Sequence, residues 1–432
     1  MAQIIPFRGI RYDKQKVGDI TCVVTPPYDR IYEREQAILY DRSPYNIVRI
    51  VKGKPSPNDN GENVYTRAAG YLEKWLDEGV LTRDEVPGLY VYHQVYTFAG
   101  QQLARKGVVA LGKLEPEKVH AHEKTLKGPK EDRLRLMRAT EANFGHIFML
   151  YADPTRAADE ALQSAVDGKT PTIEAMDDFG NRHTVWKVTD SGVINAVQLA
   201  LSDKDLYIAD GHHRYETAVN FMRECREKGW KPAAAESFDA RMMTLFNIDE
   251  PGMSIRPIHR IVHAVPNFDP QAFLAKAQED FEVSVHGSLA EMEQATKAGR
   301  SRHTFGCYSK GGFATLAMKD VGVMDVLVTD RSSDWRHLDV SILHTAILER
   351  LLGIDATALE EQRNVTYTAD VSHGVKMVEE GKEQLFFLLN ATTPDEVRRV
   401  ADHGEKMPQK STDFYPKLLT GLVLSKMEIQ QR

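Results

Sequence analysis

Apolar residues recur along this chain with two periods. Tyr65, Ala68, Ala69, Leu72, Trp75 and Leu76 fall at three- and four-residue intervals, which predicts a helix over residues 65–81. Residues 89–98 and 103–114 flank Ala99-Gly100-Gln101-Gln102 and predict a β-hairpin. A polar, His-rich stretch over 115–130 precedes a helix expected at 132–142, with Leu134, Met137 and Ala142 inward, and an apolar strand at 147–151. A second hairpin is expected from 173–176 and 184–188 around Phe179-Gly180-Asn181. A helix at 192–201, a buried strand at 206–209, a helix at 215–228 stopped by Gly229 and a strand at 242–248 follow. Beyond Val265 the pattern changes. Asp269-Pro270 caps a helix at 272–281. Strands at 305–308 and 313–318 flank Gly311-Gly312, and an amphipathic helix spans 338–352. Strands at 365–368 and 384–389 then lead to a helix opened by Thr393-Pro394. Helices and strands alternate without a regular βαβ rhythm, so the expected class is mixed α/β with partly antiparallel sheets. The expected division is 1–112, 113–265 and 266–432.

Composition narrows the function classes. The chain has 432 residues and a formal net charge of −7, with no basic run of the kind that binds a phosphate backbone. Neither nucleic acid nor membrane is an expected partner, since no window approaches about eighteen consecutive apolar residues. Cys22, Cys225 and Cys307 are too scattered for a disulfide framework, and no Cys-x-x-Cys pair exists. A reducing cytoplasm is the expected setting. P-loop, dinucleotide-fingerprint and nucleophile-elbow patterns are also absent.

One segment carries chemistry of its own. Leu206-Tyr207-Ile208-Ala209 reads as a buried strand, Asp210-Gly211 as a sharp turn, and His212-His213-Arg214 as the start of a helix. Glycine lets the backbone turn and lets a ligand approach closely. The first N–H groups of the helix and its dipole favour an anion over the turn. Two imidazoles and a guanidinium add donors for phosphate oxygens. The plainer reading is an Asp helix cap followed by two surface histidines and a solvated arginine. His120, His122 and Glu123 could gather a metal, but no third ligand at zinc spacing accompanies them. A Mg²⁺ ion bridging nucleotide phosphates suits the turn better, with Asp210 as its candidate ligand.

The turn resembles the Gly-x-x-Arg phosphate turn of the ParB and sulfiredoxin-like superfamily, and its Asp-Gly-His-His-Arg form resembles the free L-serine kinases. Ala121-His122-Glu123-Lys124 is similar to their His-Glu motif, and Pro408-Gln409-Lys410-Ser411-Thr412 to their C-terminal segment. At full length the chain resembles the bacterial family of domain of unknown function 1015. That resemblance runs from Pro26-Pro27-Tyr28-Asp29 and Ser43-Pro44-Tyr45-Asn46 through the turn to Pro257-Ile258-His259-Arg260 and Met407-Pro408-Gln409. It departs at Phe144-Gly145-His146, where Asn followed by Ser-Pro is expected, at Ile258 for Thr, and at Asp413 for an aromatic residue.

The resemblance implies a ParB/sulfiredoxin-like core with additional N- and C-terminal α/β parts. It also implies a phosphotransferase using ATP or ADP with Mg²⁺ on an alcohol group, free L-serine being the first acceptor. In that reading Glu123 is the catalytic base, with His122 and Asp210 beside it. Gly211, His212, His213, Arg214, Lys410, Ser411 and Thr412 hold phosphate. Lys130, Arg133, His259 and Arg260 are candidates for the remaining phosphate or carboxylate charge. These motifs are far apart in sequence, so one shared cleft is expected. The rivals are a ParB-type nucleotide-binding regulator, against which Glu216 replaces an expected arginine, and a phosphodiesterase or nuclease.

Overall fold

A computed structural model describes residues 3–59, 61–116, 119–121 and 127–431. The chain divides into two compact units. Unit 1 holds the described residues up to Ala121, those from 127 to Met253 and those from Pro416 onward; unit 2 holds Ser254–Tyr415.

Nine strands form the main sheet of unit 1. In chain order they are β1 (Ile4–Ile5), β2 (Leu89–Phe98), β3 (Gln101–Lys113), β4 (Val119–Ala121), β5 (Ile147–Tyr151), β6 (Ile173–Met176), β7 (Arg182–Val188), β8 (Leu206–Asp210) and β9 (Ala240–Asn247). They lie in the order β4-β8-β5-β9-β3-β2-β7-β6, with β1 on β3. The β8–β4 and β9–β5 pairs are parallel and the other pairs antiparallel, giving the mixed sheet expected. The β2–β3 hairpin closes through Ala99 and Gly100, both at positive φ, the two-residue turn whose twist matches the strands.

Helices α1 (Val64–Asp77), α2 (Lys127–Thr140), α3 (Ala157–Val166), α4 (Ser191–Leu201) and α5 (His212–Glu227) accompany this sheet. Helix α5 packs on α2, and α3 on α4. Tyr215, Ala218, Val219, Met222 and Cys225 of α5 share a core with Met149, Ile208, Met243 and Leu245 of the strands. The helix expected over 65–81 stops at Asp77, because Gly79 takes a positive φ and Leu81–Arg83 then forms a short strand.

Unit 2 carries an antiparallel six-stranded sheet of β10 (His259–Val262), β11 (Phe281–His286), β12 (Thr304–Ser309), β13 (Gly312–Met318), β14 (Val365–Thr368) and β15 (Leu385–Leu388). Their order is β11-β13-β12-β15-β10-β14. The helix expected over 272–281 is confined to Pro270–Ala277, and Phe281 instead opens β11. The stretch 338–352 is not one α-helix. Asp339–Ile342 is α-helical, and Leu343–Glu349 continues as a π-helix. Residues 112 and 265, expected as boundaries, fall inside units 1 and 2. Gly112 pairs with Ile4 on one side and Arg241 on the other, so the sheet itself crosses that position. Among the described residues no helix is long and apolar enough to cross a membrane.

A buried arginine fixes the C-terminal segment onto unit 1. Arg105, on β3, is fully buried. Its Nη2 donates to the Gln94 side-chain oxygen and to the Pro416 carbonyl, each at 2.5 Å. The guanidinium lies 4.6 Å from the Phe148 ring centre and 4.9 Å from that of Phe246. Burial lowers its pKa to about 10, so it stays charged at neutral pH. Arg105→Met keeps the stem and strands these acceptors; chemical denaturation should show a loss of about 3 kcal/mol. A variant as stable as the parent would contradict the clamp.

Candidate functional site

Strand β8 buries Leu206, Tyr207, Ile208 and Ala209 and ends on Asp210. Its register with β5 shifts between Ile208 and Asp210, the kind of irregularity that re-aims a side chain where a strand ends. Gly211 follows at φ 95° and ψ 25°, a conformation that L side chains adopt only at a steric cost. A Cβ there would stand 2.9 Å from Arg214 Nε and 3.0 Å from Nη2. The guanidinium therefore folds back onto the turn of its own helix. Gly145 gives it room on another side, where a Cβ would lie 3.1 Å from Arg214 Nη1.

Helix α5 opens on Gly211 with no side-chain cap and no acidic residue in its first turn. Its first turn therefore carries no carboxylate of its own, and the nearest one is Asp210, just before Gly211. His212 and Arg214 are buried, and His213 is half-buried.

Asp210 accepts from its own turn, Gly211 N–H to Oδ1 at 2.9 Å. Its Oδ2 lies 3.5 Å from Lys417 Nζ and 3.6 Å from Arg214 Nη2. Burial acts to raise the Asp210 pKa, but Lys417, Arg214, Arg30 and His212 outweigh it and hold the carboxyl well below the usual carboxylate range. Asp210 is thus an anion surrounded by cations. Among the described residues no group of three or more His, Cys, Asp or Glu could hold a metal ion.

Next to the turn, Arg214 lines a cavity of about 40 Å³ together with Tyr28, Arg133, Phe144, Gly145 and Arg241. Arg133 pairs with Asp132, Nη2 to Oδ2 at 2.5 Å, donates to the Val51 carbonyl at 2.8 Å, and stacks 4.1 Å from the Tyr28 ring centre. Burial and then Asp29 push the Tyr28 hydroxyl up to about 12, against the lowering effect of Arg133 and Arg214. Lys130 lies elsewhere on α2, with its ammonium 2.9 Å from Glu216.

The structure thus gathers Asp210, Gly211, His212, His213 and Arg214 at one turn of unit 1, with Arg133 in the adjoining cavity. His122 and Glu123 lie outside the described residues. His259, Arg260, Lys410, Ser411 and Thr412 belong to unit 2. There Arg260 is fully buried, and its Nη2 donates to the Lys410 carbonyl at 3.0 Å. His259 Nδ1 accepts from the Leu389 amide at 3.2 Å, and burial lowers its pKa to about 4. Ser411 is buried and donates to the Pro408 carbonyl at 2.5 Å, while Lys410 is exposed at φ 59°. These contacts order the loop.

Sequence reading missed Lys417, Arg30, Tyr28 and Arg241. Lys417 lies far along the chain from Asp210, with no motif around it. Arg241 did leave a signal, a lone charge at the head of the apolar run Met242-Met243-Thr244-Leu245-Phe246.

The family model described as "Protein of unknown function (DUF1015)" matches residues 4–341. The chain belongs to that family. Comparison with curated proteins gives no match. Similar solved structures include a conserved hypothetical protein from Pyrococcus furiosus, at 12% identity and TM-score 0.35, covering 73% of this chain and 95% of that one. A free serine kinase in complex with AMP matches at 13% identity and TM-score 0.36, covering 73% of this chain and 92% of the kinase. SbnI with a C-terminal truncation, from Staphylococcus aureus, matches at 11% identity and TM-score 0.36, covering 72% and 85%.

The charge cluster predicts a pH dependence. A carboxyl whose folded pKa is depressed contributes stability that is fully present above its unfolded pKa, near 3.9, and lost as pH falls toward the folded value. Asp210→Asn should therefore lower Tm at neutral pH and flatten the fall in Tm below about pH 4. Parallel acid limbs in the two proteins would contradict the assignment.

Proposed function

We propose that this chain is a small-molecule kinase that transfers a phosphoryl group from a nucleotide to a hydroxyl, with free L-serine as the first acceptor to test. The observation that supports it most is the uncapped, left-handed Gly211 turn with the Arg214 guanidinium folded onto it. In this reading the α5 N-terminus, His212, His213 and Arg214 hold the transferring phosphate. Phosphoryl transfer asks a protein chiefly for positioning and charge stabilisation, and the surplus of cations around Asp210 suits that demand.

Glu123 is proposed as the base that takes the acceptor hydroxyl's proton, with His122 beside it. Lys410, Ser411 and Thr412 are proposed as phosphate contacts, and that role, like the choice of L-serine, rests on the sequence resemblance alone. Mg²⁺, when bound, would neutralise the nucleotide's charge, and Asp210 is the candidate carboxylate. To ligate the metal, Asp210 must exchange its contacts with Lys417 and Arg214, so the fit is to one protein ligand with the nucleotide supplying others.

The test is nucleotide consumption and phosphorylated-product formation with ATP and ADP as separate donors. L-serine and a panel of small alcohols and sugars serve as acceptors. Glu123→Gln keeps shape and removes basicity, so it should cut kcat by about 10²–10⁴-fold while nucleotide affinity holds. Nucleotide binding without transfer to any acceptor would replace the kinase by a nucleotide-binding regulator. Cleavage of a phosphodiester would replace it by a hydrolase.

A further inference from the structure

We infer that Arg241, with Arg214 and Arg133, forms a buried receptor for one small oxyanion, a carboxylate or phosphate group, in the cavity that adjoins the Asp210 turn. Arg241 is only 5% exposed. Its Nε and Nη1 are buried and have no hydrogen-bond partner among the described residues. It stands on β9 at the strand-face positions shared with Met243 and Leu245, both members of the apolar core. A guanidinium placed there without acceptors is costly, and buried donors are ordinarily satisfied.

The charges around it sharpen the point. Burial lowers the Arg241 pKa to about 9, and the neighbouring charges that act on it, Arg214 and Arg133, lower it further. Among the described residues no carboxylate lines the cavity. Asp132 engages Arg133, and Asp210 faces Lys417 and Arg214, so neither answers the Arg241 charge. Its unmatched Nε and Nη1 lie on opposite sides of the guanidinium, so each offers a separate donor to an oxyanion oxygen. Tyr28 and Thr420 add hydroxyls to the lining, and Phe144, Leu136 and Met137 supply apolar wall. A small anionic molecule with a short carbon skeleton fits that mixture.

The receptor stands without the kinase reading. Only its assignment to the acceptor, making that acceptor a hydroxy acid or hydroxyamino acid rather than a neutral alcohol or sugar, rests on the proposed function. Calorimetry on the full chain should titrate inorganic phosphate, glycolate, L-serine and ADP separately into the parent and into Arg241→Met. Phosphate or a carboxylate should bind the parent, and the variant should lose about 10–100-fold in affinity, the scale of a lost charge-assisted contact.

Glycolate and L-serine binding lost with ADP binding kept assigns the site to the acceptor. ADP binding lost alongside assigns it to the nucleotide's phosphate. Without anion, Arg241→Met should be at least as thermally stable as the parent, since it removes an unmatched buried charge. Anion affinities within twofold of each other in the two proteins would overturn the receptor. So would failure of every anion to bind the parent. If Arg241→Met does not fold, Arg241→Lys keeps the charge and removes the planar guanidinium donors, and unchanged affinity in that variant would overturn it equally. A parent that binds the anion at this site but transfers no phosphoryl group would end the kinase reading and leave the receptor standing.

Discussion

Asp210 is the point on which the site depends. Its carboxylate ends a buried strand, accepts the amide of the glycine that turns the chain, and faces Lys417 and Arg214. The β8–α5 turn and the C-terminal segment, distant in sequence, are thereby tied at one charge. The desolvation cost of burying an anion is large unless cations compensate it, and here several do. Arg105 holds the residue next to Lys417 by the Pro416 carbonyl, so the cation that faces Asp210 is itself positioned from the centre of the sheet.

Charge and shape then act together. A left-handed glycine brings the backbone close to whatever sits over the turn, and the Arg214 guanidinium occupies the space that any other residue's Cβ would take. The helix that follows begins uncapped. Beyond the turn, Arg214 also faces the cavity in which Arg241 stands without a hydrogen-bond partner among the described residues at two of its nitrogens. One arginine thus borders two places where an anion would relieve positive charge.

Much of this was legible in the residues. The strand-Asp-Gly-helix punctuation located the turn, and the apolar runs placed β2, β5, β8 and β9 within a few positions. Other features were hidden for physical reasons. The π-helix at Leu343–Glu349 spans 7 residues, too short a stretch for apolar periodicity to separate it from an α-helix. Helix Ala157–Val166 has only Leu162 and Val166 as large apolar markers, and its alanines carry little periodic signal. Lys417 became part of the site through tertiary contact alone. Lys130 shows the converse, since a lysine read as a phosphate candidate lies against Glu216 on the neighbouring helix.

The central claim, that the Asp210–Arg214 turn is a phosphate-binding element, is tested most directly by determining the structure of the full chain with ADP bound. The account predicts phosphate oxygens within hydrogen-bond distance, about 2.7–3.2 Å, of backbone N–H groups at the start of α5 and of the Arg214 guanidinium. A nucleotide whose phosphates rest elsewhere, with Arg214 still folded against Gly211 and no anion at the turn, would contradict it.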